Sequence, residues 1–169
     1  IGTVYSAPVH ISETLSLKAV AYRAGLTISS VTTAQFTIEP PEPVYKHYAY
    51  IANSESHTIS AFTIDPEAGT LTEIAGSPFA TGGNYPWSVA IHPSGKFLYI
   101  LNYLTRDISI FRIMASTGSL TAISGSPCQT GGSYPVWIAV EPTGKYIYVA
   151  DSTMNGVRAF AINEITGAL

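Results

Sequence analysis

The side chains best suited to holding a small molecule are two tryptophans, Trp87 and Trp137, each placed just after a Tyr-Pro step (Tyr85-Pro86 and Tyr134-Pro135). An indole face can stack on a sugar ring as an aromatic floor, or it can wedge between packed sheets, and residue type alone leaves both roles open. Asn53, Asn102 and Asp151 each end an apolar run and precede a polar loop. Side-chain oxygens in that setting hold their own turn, or, gathered into a ring, bind a ligand such as Ca²⁺. Asp151 is the one anion of the three, so turn stabilisation is the expectation and ligand contact the alternative.

Other chemistry has little support. His92 stands beside Pro93-Ser94-Gly95, where its ring is expected to top a surface turn. His10, His47 and His57 are scattered, with no two at metal-ligand spacing. Cys128 is the only cysteine, which excludes an intrachain disulfide and a cysteine zinc site, and a buried thiol is expected. Arg106, Asp107 and Arg158 read as solvated charges or exposed ion pairs. No G-x-S-x-G elbow, HExxH, Walker loop or GxGxxG occurs. The candidate ligand-binding residues are therefore Trp87, Trp137 and Asp151, with no catalytic, cofactor or metal set assigned.

Composition narrows the classes further. Charged residues make up 11% of the 169, against about 25% in ordinary domains, while Ser, Thr, Gly and Tyr are plentiful. A β-rich protein that meets solvent through hydroxyls has this profile. A formal net charge of -3 with eight Lys+Arg leaves no basic surface for phosphates, so nucleic acid is not an expected partner. No apolar run is long enough to span a membrane as a helix.

The elements that must position these residues are repeated. Asn84 to Asn102, NYPWSVAIHPSGKFLYILN, returns as Ser133 to Asp151, SYPVWIAVEPTGKYIYVAD. Tyr50, Tyr99 and Tyr148 stand 49 residues apart, as do Phe62, Phe111 and Phe160, and Gly69, Gly118 and Gly167. A period of this length filled with short strands points to β-propeller blades. Trp87 to His92 reads as an innermost strand, Pro93 to Lys96 as a tight turn, Phe97 to Asn102 as the second strand and Ile108 to Ile113 as the third. Leu120 to Ser124 is the outer strand, ended by Gly125-Ser126-Pro127. Phe111 and Ile113 alternate with Ile108 and Ile110, so both faces of the third strand are apolar, as a sheet covered on both sides requires.

The fold expected is all-β: a partial β-propeller of about two and a half blades, with three strands of one (Tyr48 to Ile74), a whole blade (Trp87 to Ser124) and three strands of another (Val136 to Ile162). Rings of four to eight blades need roughly 200 to 400 residues. The expectation is that missing blades of the same full-length chain complete the ring, and that the uncovered apolar faces associate otherwise. Residues 1–38 differ: Leu15, Leu17, Ala19 and Ala21 alternate with polar neighbours, Arg23-Ala24-Gly25 turns the chain, and Thr33 to Ile38 reads as a second strand. Glu39-Pro40-Pro41-Glu42-Pro43 is a stiff linker, placing a domain boundary at 39–45 and the propeller at 46–169.

The phrases VYSAPVHIS, LSLKAVAYRAG and SSVTTAQFTI resemble the second half of the chitobiase/β-hexosaminidase C-terminal domain, implying a partial immunoglobulin-like sandwich at 1–38. Residues 46–169, where TG-x-L, GSP, YP and P-x-G-K-x-x-Y recur in order, resemble the lactonase-type seven-bladed propeller family, which includes 6-phosphogluconolactonases, and the related YVTN repeats of surface-layer proteins. The resemblance implies a funnel histidine just after the proline that opens an inner strand. Trp87 and Val136 stand there instead. Three functional expectations follow: a non-catalytic secreted or bacterial-surface scaffold that contacts a protein or glycan ligand; a lactonase whose catalytic residues lie in other blades, so that these blades alone are inactive; or a cell-wall glycan-binding module.

Overall fold

The computed structural model describes residues 15–19, 32–36, 47–153 and 156–169. The chain divides into two compact units, Ile1–Val44 and Tyr45–Leu169. In the first, β1 (Leu15–Ala19) pairs antiparallel with β2 (Thr32–Phe36), Leu15 opposite Phe36. Ala21, the Arg23-Ala24-Gly25 turn and the proline-rich linker lie outside the described residues.

The second unit holds three antiparallel sheets, each a meander. The first is β3 (His47–Asn53), β4 (Thr58–Ile64), β5 (Leu71–Glu73) and β6 (Phe79–Ala80). The complete one is β7 (Pro86–Ile91), β8 (Phe97–Asn102), β9 (Asp107–Ile113), β10 (Leu120–Ala122) and β11 (Cys128–Gln129). The third is β12 (Pro135–Val140), β13 (Tyr146–Asp151) and β14 (Gly156–Ala161). Tyr50 lies opposite Ala61, Tyr99 opposite Ile110 and Tyr148 opposite Ala159, so the 49-residue repeat is a repeat of backbone register. All described elements are strands, and the partial propeller is the architecture.

The core lies between the sheets. Every residue of β8 is buried. Phe97, Tyr99 and Leu101 enter the cluster shared with Ile138, Ile147 and Val149 of the third sheet, while Leu98 and Ile100 enter the cluster shared with Ile59 of the first. Strand β9 divides the same way, Ile108 and Ile110 to one side and Phe111 and Ile113 to the other. Burying each such side chain contributes about 1.5–3 kcal/mol. A strand with two apolar faces is stable only when both are covered.

The sheets are also tied by one recurring contact. Tyr50 donates its hydroxyl to Gly118 O at 2.7 Å, and Tyr99 donates to Gly167 O at 3.0 Å. Each glycine has positive φ, and a Cβ on it would stand 2.4 Å from the ring of Tyr48 or Phe97 respectively. The glycine of the TG-x-L corner is thus required both by its backbone conformation and by the aromatic ring lying on it.

Several expectations change: Asp107 is buried, not solvated, where it accepts from Asn102, and Cys128 is half-buried rather than buried. Gly125-Ser126-Pro127 interrupts the outer strand rather than ending it: β10 pairs with Phe111 to Ile113, and after the break β11 pairs with Asp107 and Ile108 of the same β9. Ser126 Oγ accepts the Ile110 N–H at 2.8 Å, and Ser77 Oγ accepts that of Ala61 at 3.0 Å, satisfying donors that the break would strand. His92 does not top a surface turn. It is 6% exposed, and its Nε2 donates to Gly144 O of the third sheet at 2.9 Å while Nδ1 faces Ser94 Oγ at 2.8 Å. A carbonyl can only accept, so the proton sits on Nε2 and the ring is a strut between sheets.

Candidate functional site

The inner strands of the second and third sheets begin at one mouth, and the connections entering them meet the β8–β9 turn there. A cleft of ≈ 400 Å³ is lined by Tyr85, Trp87, Tyr103, Leu104 and Val136. Tyr85 stacks on Trp87 with centroids 5.9 Å apart and planes 16° from parallel. Tyr103 closes on Tyr85 at 6.3 Å, on Trp87 at 6.0 Å and on Tyr134 of the next connection at 6.1 Å. The Arg106 guanidinium lies over the Tyr134 ring, 5.9 Å from its centroid.

Local backbone chemistry holds these rings. Tyr85 is a non-glycine residue at φ 61, a conformation of appreciable cost. Its N–H donates to His57 Nδ1 at 3.0 Å, and its carbonyl accepts the Tyr103 N–H at 2.9 Å. Asn84 N donates to Thr105 Oγ1 at 3.0 Å, so the connection and the turn are one hydrogen-bonded piece. At the start of β7 the register slips between Pro86 and Ser88, leaving Trp87 as the bulged residue, 54% exposed in the mouth.

Trp87 and Trp137 are not brought together. Trp137 repeats Ser88, not Trp87; it pairs opposite Ala150, and it is 64% exposed. Ser88 faces the third sheet, its Oγ accepting the Ile138 N–H at 3.3 Å, so Trp137 stands on the far face of the third sheet, away from the cleft. The floor that two tryptophans were expected to form is built instead by Trp87 with Tyr85, Tyr103 and Tyr134. The legible signal for the tyrosines was their place beside the Tyr-Pro steps and at the β8 end, but tyrosine is common throughout this chain.

Asp151 is buried. Its Oδ2 accepts the Tyr134 N–H at 3.0 Å, and Oδ1 accepts from Thr153 N at 3.0 Å and Thr153 Oγ1 at 2.8 Å. It therefore holds both its own turn and the connection that carries Tyr134. Asn102 and Asn53 act differently from Asp151. Asn102 Nδ2 donates to Asp107 Oδ1 and Ser109 Oγ, both at 2.7 Å, and Asn53 Nδ2 donates to Thr58 Oγ1 and Ser60 Oγ at 3.1 and 2.8 Å. These amide N–H groups brace strands, and among the described residues no group of three or more His, Cys, Asp or Glu is arranged to hold a metal ion.

The cleft lining carries no carboxylate and no imidazole. Cys128 is not a poised nucleophile, because burial and the charge of Asp107 both raise its pKa. What the arrangement offers is stacking on flat rings, phenolic donors and one guanidinium at the rim, which is the chemistry of holding a polyol ring with an acidic substituent.

The comparisons agree with this architecture. Residues 35–169 match the family model described as lactonase, 7-bladed beta-propeller. Residues 1–36 match the model described as Fn3 associated, where the sequence resemblance named a chitobiase/β-hexosaminidase C-terminal-like segment. A candidate 6-phosphogluconolactonase from Bacteroides fragilis is similar in structure, with 26% identity and a TM-score of 0.64 over 79% of this chain and 39% of its own. One from Bacteroides uniformis has 22% identity and a TM-score of 0.64, covering 90% of this chain and 46% of its own. The periplasmic gluconolactonase of Pseudomonas aeruginosa has 21% identity and a TM-score of 0.61, covering 72% and 34%. This chain thus spans less than half the length of each. No curated protein matches it. On the match over 35–169, together with three sheets that repeat one register, the chain belongs to the lactonase, 7-bladed β-propeller family.

Proposed function

We propose that these blades form the ligand-holding wall of a lactonase-type propeller, with the sugar ring of a sugar-acid lactone seated in the Tyr85–Trp87–Tyr103 cleft and its acidic substituent toward Arg106. The observation that carries this reading is the aromatic cleft at the mouth where the inner strands begin. The ring hydrogens of a pyranose meet the indole and phenol faces, while Arg106 contributes a charge-assisted hydrogen bond to a carboxylate or phosphate. Hydrolysis additionally needs a base within hydrogen-bond reach of the attacking water. The cleft lining contains none, so in this reading water activation falls to groups outside that lining.

The test is a fluorescence titration of the chain with freshly dissolved glucono-1,5-lactone and its 6-phosphate, which keep the ring that the cleft is to hold, alongside a lactone-hydrolysis assay. Saturable quenching of Trp87 emission, weakened for the phosphorylated ligand in Arg106→Ala, together with loss of binding in Trp87→Ala followed by calorimetry, is the expected result. No binding of either ligand, or binding unchanged in Trp87→Ala, refutes the assignment. The same cleft supports a second reading, a non-catalytic glycan-binding propeller, which predicts binding to neutral oligosaccharides insensitive to Arg106→Ala.

A further inference from the structure

Two connections carry the rings of the cleft, and side chains of different acid–base character anchor them. The Tyr134 N–H donates to the Asp151 carboxylate, and the Tyr85 N–H, its equivalent 49 residues earlier, donates to His57 Nδ1. A backbone N–H can only donate, so His57 keeps its proton on Nε2 and offers the Nδ1 lone pair. A carboxylate goes on accepting hydrogen bonds through the neutral range, whereas an imidazole that takes a second proton becomes a donor at both nitrogens. That second proton sets an Nδ1–H against the Tyr85 N–H.

The two connections also differ in backbone conformation. Among the described non-glycine residues, positive φ occurs at His57 (58), Tyr85 (61) and Arg106 (59), and not at Tyr134. A bulky residue holds that conformation only where its surroundings fix it. His57 does much of the fixing: its carbonyl accepts Thr81 N at 3.1 Å and Thr81 Oγ1 at 3.0 Å, and its ring accepts Tyr85 N at 3.0 Å. Both ends of the segment 81–85 therefore close on one half-buried residue. The titratable groups on the elements around the imidazole are Glu55 of its own turn, the Tyr85 and Tyr103 phenols, and Asp107, whose Oδ1 lies against Gly83 of the same segment.

We infer that His57 is a positioning residue that couples ligand binding in the cleft to its own protonation. The neutral ring locks Tyr85 in its stack on Trp87, and the cationic ring releases Tyr85 and loosens that wall. The inference rests on the reading of this cleft as the sugar-lactone site. The opposite wall, Tyr134 beneath Arg106, keeps its carboxylate anchor and does not respond to the same proton. Because the ligand stacks on the locked form, binding and protonation oppose each other, and uptake of ligand at mildly acidic pH expels a proton.

The test compares the wild-type chain with His57→Asn at about pH 7.5 and about pH 5, which bracket the range in which imidazoles ordinarily titrate. Asparagine tolerates the left-handed backbone and offers an Oδ1 acceptor that does not titrate. Amide hydrogen exchange followed by NMR, corrected for the intrinsic effect of pH, reads the Tyr85 N–H with no ligand present. Its protection in wild type is expected to fall about tenfold at the lower pH, while Tyr134 keeps its protection and His57→Asn shows no change at either amide. Calorimetry uses freshly dissolved glucono-1,5-lactone, whose own charge is constant over this range. Wild type is expected to bind it about tenfold more weakly at the lower pH, and His57→Asn equally at both. Circular dichroism identical to wild type checks that the variant folds. Tyr85 protection that ignores pH overturns the coupling, as does a loss that persists in His57→Asn or is shared by Tyr134. Lactone bound equally at both pH values by wild type keeps the ligand reading and overturns this one. Lactone that binds at neither refutes the ligand reading, and the Tyr85 amide then decides the coupling by itself.

Discussion

His57 Nδ1 accepts the backbone N–H of Tyr85 at 3.0 Å. This one contact joins the β3–β4 turn of the first sheet to the connection that enters β7. In the next repeat the same donor, now Tyr134 N, is met by Asp151 Oδ2 at 3.0 Å instead. The change of partner follows from the side chain at the end of the second strand. Asn102 turns its amide N–H groups to Asp107 and Ser109, while His57 of the neighbouring sheet accepts from Tyr85; 49 residues on, Arg106 stands in place of His57 and has no acceptor to offer, and the Asp151 carboxylate accepts instead.

Removing that acceptor in His57→Ala should release Tyr85 from φ 61 and loosen its stack on Trp87. The expected outcome is a red-shifted Trp87 emission and about tenfold weaker binding of glucono-1,5-lactone, since a lost hydrogen bond of this kind is worth about 1.5 kcal/mol. Emission and affinity equal to wild type would show that Tyr85 is held by other contacts.

Asn102→Asp places a second carboxylate against Asp107 Oδ1 in a buried site. Two carboxylates in hydrogen-bond contact cannot both ionise cheaply, so one is held protonated and its pKa rises. The penalty is therefore present at neutral pH, about 3 kcal/mol in urea unfolding, and shrinks as pH falls and the shared proton binds. A stability loss that is the same at acid and neutral pH contradicts this account.

The two glycine corners separate backbone conformation from space. Gly118 and Gly69 have nearly the same φ, 73 and 67, but a Cβ on Gly118 would stand 2.4 Å from the Tyr48 ring and one on Gly69 meets nothing within 4 Å. Gly69→Ala should cost about 1 kcal/mol for the left-handed backbone alone. Gly118→Ala adds overpacking and should cost about 2–4 kcal/mol. Equal losses in paired denaturation curves would mean that the ring over Gly118 moves aside freely.

Burial pushes the Tyr99 phenol up to about 12 from its ordinary 10.0. A folded-state pKa above the unfolded one means that the unfolded chain gives up its proton first. The stability this group contributes is complete below pH 10 and drains away between pH 10 and about 12. Tyr99→Phe loses the hydrogen bond to Gly167 O, about 1 kcal/mol at neutral pH, and should flatten the alkaline limb of the stability profile. A limb as steep as wild type in thermal melts would assign it to other groups.

Much of the architecture was legible from residue order. A period of 49 residues, apolar residues on both faces of Phe97–Asn102 and Asp107–Ile113, and TG-x-L corners at the same offset are properties of the chain alone, and they determined strands, register and the stacking of sheets. Backbone pairing and apolar burial read local patterns, and local patterns repeat faithfully. Where a residue broke from the repeat, tertiary structure decided. Trp87 and Trp137 both follow Tyr-Pro, yet a one-residue offset across the bulge sends Trp87 into the mouth and Trp137 to the far face of its sheet. His92 looked like a turn ornament until the Gly144 carbonyl of the next sheet reached it. The cleft belongs to the same class: Tyr85, Trp87, Tyr103 and Tyr134 meet only because two connections and a turn converge at one end of neighbouring sheets, and distance across sheets is not written in the order of residues along any one of them.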